Sequence, residues 1–184
     1  APAQNWTEPL DGDFDGDGKV TTAVGSLSDS ASAVAIQSDG KIVVVGTSNV
    51  GSYQDFAAVR YNANGSLDTT FSGDGKQTTS LSTKIENARA VAIQPDGKIV
   101  IVGYANMGTN NDDIALLRYK TNGSLDTTFD GDGKVTTALS TSSEYGQAVA
   151  IQSDGKIVVA GQTTGSTTKG DIAVVRYNTN GSID

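Results

Sequence analysis

The chain has 184 residues, of which 36% are hydrophobic and 22 are glycine, with a formal net charge of −8. That charge argues against electrostatic binding to nucleic acid or to anionic membranes, and no run approaches the ~18 apolar residues of a membrane-spanning helix. Neither Cys nor His occurs, which excludes disulfides, thiolate nucleophiles, thiolate or imidazole metal sites and histidine triads.

Residues 1–10 form an N-terminal segment, APAQNWTEPL, with no repeat pattern. Its small first residues fit what remains after removal of a signal peptide; an artificial start is the equal alternative. The acidic string DGDFDGDG follows, from Asp11 to Gly18. Asp11, Asp13 and Asp15 with Gly16 match the opening of a D-x-D-x-D-G calcium loop, and Asp17 adds a fourth carboxylate. Lys19 and Thr22 stand at positions nine and twelve, so the closing acid is missing. A Gly-Asp-Gly hairpin turn is the preferred reading, with calcium the one cofactor in view. Lys19, Val20, Thr21 and Thr22 then read as a short strand with no partner strand before it.

The next elements set a pattern. AVAIQ (from Ala33) reads as a strand and SDGK as a tight turn, since Asp-Gly tolerates positive φ. KIVVVG (from Lys41) is a second strand, TSNVGSYQ (47–54) a loop, and DFAAVRYN (from Asp55) a third strand. An NANGS turn and LDTTFSGDGK lead to KQTTS (from Lys76), a fourth strand. β-branched and aromatic residues dominate, as strands prefer. Phe56, Ala58 and Arg60 share one face of the third strand and Ala57, Val59 and Tyr61 the other. Both faces are largely apolar, so both are expected to be covered.

The pattern then returns. The SDGK or PDGK aspartate falls at Asp39, Asp96 and Asp154, the Arg-Tyr pair at Arg60, Arg118 and Arg176, and the GDGK aspartate at Asp17, Asp74 and Asp132, always 57 or 58 residues apart. The Leu/Ile-Asp step falls at Asp11, Asp68, Asp126 and Asp184. Residues 11–68, 69–126 and 127–184 are therefore three copies of one unit. A four-stranded sheet covered on both faces and repeated at this period predicts an all-β fold of three four-stranded antiparallel propeller-type blades. A β-sandwich is the alternative, but it requires no such repetition.

VAIQSDGKIVVAG (from Val149), DIAVVRY (from Asp171) and NGSLDTTFDGDG (from Asn122) resemble the motifs of the delta-sixty repeat family of secreted bacterial proteins. The resemblance covers residues 11–184. It implies a propeller-like array, a secreted or cell-surface location and no established activity. Such arrays are usually longer than three units.

Propeller rings have four to eight blades, so three should not close within one chain. The third copy supplies three strands and ends without its fourth, while 19–22 is a fourth strand without a third. The expectation is a homo-oligomer in which the N-terminal strand of one chain (Lys19, Val20, Thr21, Thr22) completes the last sheet of another (Ile172, Val174, Arg176), as a ring or a filament. The alternative is a piece of a longer propeller.

The segments before the first strand and the loops after the second differ among copies and share one rim. That rim carries Tyr53, Tyr104, Met107 and Tyr145, a candidate surface for a glycan or a surface protein. Arg60, Arg118 and Arg176 read as structural, with Asp17, Asp74 and Asp132 as candidate partners for their charge. Glu8, Asp29, Glu86 and Glu144 look scattered. No nucleophile, base and orienting group can be assembled, so the chain reads as non-enzymatic.

Overall fold

The structure, a computed structural model, describes residues 12–51, 53–108, 111–164 and 170–184. The first sheet contains β1 (Asp29–Ile36), β2 (Ile42–Val50), β3 (Tyr53–Tyr61) and β4 (Lys76–Thr79) in that order. The second contains β5 (Glu86–Ile93), β6 (Ile99–Asn106), β7 (Asp112–Tyr119) and β8 (Lys134–Thr137). The third has β9 (Glu144–Ile151), β10 (Ile157–Thr163) and β11 (Asp171–Tyr177). All pairing is antiparallel between chain neighbours. The fold is the all-β array of blades expected from the repeats, open rather than closed into a ring among the described residues.

The first strands begin earlier than their apolar cores suggested, at Asp29 rather than Ala33. The stretch expected as a loop in the first copy is mostly ladder, with Thr47 opposite Phe56 and continuing to Val50 opposite Tyr53. Its side chains are polar and variable because ladder pairing uses backbone groups, which every non-proline residue carries. A bulge interrupts each first strand at Ser32, Arg89 or Gln147. Beside it the second strand needs glycine. A Cβ on Gly46, Gly103 or Gly161 would lie 1.9 Å from the carbonyl oxygen of Ser30, Asn87 or Tyr145.

The core lies between the sheets. Val43, Val45, Phe56 and Phe71 of the first sheet meet Ile99, Ile101, Leu117 and Tyr119 of the second. Val100, Val102, Ile114 and Leu116 on the reverse of the second meet Ile157, Val159, Val175 and Tyr177 of the third. The central sheet is thus buried on both sides, as the apolar faces of its third strand predict. The two outward faces keep the same residue types in the open. Val34 and Ile36 at the front are 62% and 66% exposed, and Ile172 and Val174 at the back 89% and 66%.

Candidate functional site

Two sets of backbone and side-chain bonds stitch each sheet to the next. After the third strand the chain doubles back on itself, with Tyr61 bridging Leu67 and the Asp68 amide donating to the Arg60 carbonyl at 2.9 Å. This return brings Asp68 onto Arg60, whose Nε donates to Asp68 Oδ2 at 2.8 Å. Arg60 Nη1 donates across the seam to the Thr121 carbonyl at 2.5 Å, and its guanidinium lies 4.8 Å from the centre of the Phe71 ring. Arg118 repeats the arrangement with Asp126, the Thr179 carbonyl and Phe129. Burial works to raise the Asp68 carboxyl, but Thr70 and the Arg60 guanidinium outweigh it and hold it below the usual range.

The arginines pair with Asp68, Asp126 and Asp184 rather than with the expected partners. Asp17, Asp74 and Asp132 instead accept the amides of Lys19, Lys76 and Lys134 within their own turns, at 3.0, 2.9 and 2.9 Å. The doubling back makes the difference, since it places the aspartate eight residues on directly beside the guanidinium.

The second stitch joins turns and hydroxyls. The Ser72 amide donates to the Asn122 carbonyl and the Asp130 amide to that of Asn180, at 2.9 and 2.8 Å. The Tyr119 hydroxyl bonds Thr79 at 2.6 Å and that of Tyr177 bonds Thr137 at 2.8 Å. At the front face residues 12–24 repeat both contacts. The Asp15 amide donates to the Asn64 carbonyl at 2.8 Å, and Tyr61 bonds the Thr22 hydroxyl at 2.7 Å. Asp15, Ser72 and Asp130 even share the same left-handed backbone, with φ of 50°, 54° and 50°. So 12–24 lies on the first sheet as the closing piece of a preceding blade would lie. Lys19, Val20, Thr21 and Thr22 belong to no strand pairing among the described residues.

The back face offers the complement. Among the described residues β11 has a partner on one side only, β10. Arg176 keeps its carboxylate, with Nε 2.7 Å from Asp184 Oδ2, and Lys156 reaches Asp184 Oδ1 at 2.7 Å. Contacts with Lys156 and Arg176 hold Asp184 below the usual carboxylate range. The cross-seam carbonyl that Arg60 and Arg118 bond has no counterpart for Arg176 among the described residues.

The acidic string folds as the repeat's own turn. The Gly18 amide bonds the Phe14 carbonyl at 2.7 Å, as Gly75 bonds Phe71 and Gly133 bonds Phe129. Asp11 lies outside the described residues, as does the whole 1–10 segment with Glu8. Asp13, Asp15 and Asp17 are described, and no three carboxylates gather as a metal cage among the described residues.

The rim residues fall into two groups. Tyr104 and Tyr145 meet edge to face across the second seam, ring centres 4.8 Å apart, with Arg89 5.5 Å above Tyr104. Tyr53 instead borders a cleft of about 350 Å³ with Lys84, Ile85 and Asn106, and Met107 is exposed. The acids taken as scattered are repeat-matched. Asp29, Glu86 and Glu144 each open a first strand. Glu86 and Glu144 are wholly buried, each with an Oε2 that has no hydrogen-bond partner among the described residues. Their common spacing of 57 and 58 residues was the signal that finds them.

Stacked antiparallel sheets that bury their cores between blades, with first strands side by side, define a β-propeller-type repeat array. The family described as a domain of unknown function (DUF5122) beta-propeller matches residues 37–71, 94–129 and 152–184, more than half of the chain, and this protein belongs to it. No curated protein matches the chain.

Proposed function

We propose that this chain is a non-enzymatic structural module that joins end to end with a second copy of itself. The back of the third sheet of one copy sits against the front of the first sheet of the next. The observation that carries the reading is residues 12–24, which make on the first sheet both of the contacts a preceding blade makes at an inner seam. Their own outer edge awaits a strand, and β11 has an edge to give. Carrying over the inner register, in which Phe56 faces Thr79 and Ile114 faces Thr137, sets Ile172 opposite Thr22 and Val174 opposite Val20 of the neighbour. Backbone pairing of this kind gives affinity with little dependence on side chains. Burying Ile172 and Val174 adds about 1.5–3 kcal/mol each before the cost of association. Arg176 then finds the Ala63 carbonyl, the position matching Thr121 and Thr179. Two copies would total six blades, within the range of closed rings, whereas an unclosed rotation would give a filament. The motif resemblance to delta-sixty repeats supports a secreted or surface setting.

Sedimentation of the chain beside an Ile172→Asp/Val174→Asp variant tests the proposal. The parent is expected to sediment as a dimer or a ladder of larger species. The variant should be monomeric and still unfold cooperatively, melting below the parent only by what association contributes, because both residues are solvated in the single chain. A parent that stays monomeric at its solubility limit would overturn the reading.

A further inference from the structure

Three positions at which a single copy departs from the other two come together at the second seam. Arg89 stands where the other copies have Ser32 and Gln147, and Tyr104 where they have Thr47 and Gln162. Tyr145 stands where they have Ser30 and Asn87. Each change replaces an uncharged, non-aromatic polar side chain by a cation or an aromatic ring. Drift alone has no reason to gather such changes in one place.

The local structure holds the cluster at the surface. Arg89 is the extra residue of the β5 bulge, between Ala88 and Ala90, and a bulge re-aims its side chain away from the regular pleat. The residue is exposed. Its guanidinium lies 5.5 Å from the centre of the Tyr104 ring, with Nη2 3.5 Å from the Tyr104 hydroxyl. Tyr145 meets Tyr104 edge to face, and both tyrosines are half-buried. Packing thus fixes two rings and a guanidinium as one platform and leaves part of each in solvent.

The charge on that platform is unspent. Arg60, Arg118 and Arg176 each hold a carboxylate; among the described residues Arg89 holds none. Asp112, an acid in contact with the platform, is occupied, because it accepts the Asn106 side-chain amide at 3.0 Å and the Tyr145 hydroxyl. A guanidinium held over a ring keeps edge donors free, and their fork matches a carboxylate through two parallel bonds. The adjoining aromatic surface takes a second ring, stacked or edge-on. The net charge of −8 repels polyanions at long range, so the site suits a single negative group rather than a charged polymer.

We propose that Arg89, Tyr104 and Tyr145 form a binding site for a carboxylate borne on a ring, with the guanidinium forked onto the carboxylate and the ring laid against the tyrosines. An aromatic acid and a sugar acid share that chemistry. The inference does not rest on end-to-end joining, since the cluster lies within one chain.

The test is saturation-transfer NMR on the full chain with benzoate and with glucuronate, each beside its neutral counterpart, benzamide and glucose. At least one acid at millimolar concentration is expected to receive saturation, and more strongly than its counterpart; the acid that responds more strongly names the source. Arg89→Gln should weaken that acid by about tenfold and leave its neutral counterpart unchanged. Phenylglyoxal labelling of the unmodified chain, read by mass spectrometry, locates the site even if the variant fails to fold: the responding acid should protect Arg89. Silence of both acids overturns the proposal, as does an equal response to the neutral counterparts. So does an Arg89 that labels as fast with the acid as without it, or a folded Arg89→Gln chain that binds the acid as the parent does.

Discussion

The inner seams and the outer faces are built from the same residues and behave differently. Val91 and Ile93 pack into a core, while their counterparts Val34 and Ile36 stand in solvent. Ile114 and Leu116 are buried, while Ile172 and Val174 are open. The Arg118 side chain is 5% exposed and the Arg176 side chain 50%, although each holds its aspartate. The position that opens the first strand shows the same split. Burial raises the Glu86 carboxyl against the pull of the Ser82 and Leu81 amides. At the front face the Ser48 hydroxyl and the Val24 and Gly25 amides hold Asp29 below its ordinary value. Each repeat therefore encodes half of an interface, and its neighbour decides whether that half becomes core or surface. This is the nearest-neighbour logic of stacked repeats.

The largest separation between seam and face is expected from the arginines. Arg118→Ala leaves the buried Asp126 carboxylate with only the Lys98 Nζ, at 3.7 Å, as a nearby cation and should cost about 3 kcal/mol. Arg176→Ala breaks a solvent-exposed pair and should cost less than about 1 kcal/mol. Denaturant unfolding of the two variants in the monomeric Ile172→Asp/Val174→Asp background measures both, and equal losses would erase the contrast.

A smaller effect separates Glu86 from Asp29. A raised carboxyl contributes its stability below the ordinary carboxylate pKa and loses it as pH climbs through the raised value. Glu86→Gln should therefore melt higher than the parent at neutral pH, with the gap closing on acidification. A lowered carboxyl contributes above its ordinary pKa and fails as pH falls through the lowered value. Asp29→Asn should melt lower at neutral pH, with its gap closing only in strong acid. Melting curves from about pH 1.5 to 8, spanning both sides of the carboxylate range, check both signs. Gaps that stay constant across the range would remove ionisation as the cause. The smallest effect concerns calcium. EDTA should leave the melting temperature unchanged, because backbone bonds close the 12–18 turn; a drop of several degrees would restore a metal role for the aspartates.

Much of this architecture was legible because the chain states it three times. The strands of the three sheets and the open outer faces followed from repeat phase and strand parity, and so did the expectation that Arg60, Arg118 and Arg176 need partners for their charge. The partners of those arginines did not. Parity within one strand says nothing about a chain that turns back beside itself, as it does where Tyr61 bridges Leu67. The fixed separation of eight residues between each arginine and its aspartate was the available clue. Arg89 was hidden for another reason. It belongs to a first strand, and strand parity does not foresee the bulge that brings its side chain onto Tyr104. The ladder from Thr47 to Val50 escaped notice because its side chains carry no alternation.

Residues 12–24 also bear on how the chain matures. Thr22 and Tyr61 are 39 positions apart, so the front cover and the first sheet emerge from the ribosome together, N-terminal end first. Each later sheet then finds a finished template to condense on. Growth of the fold runs in one direction, each new sheet offering its open face to the next.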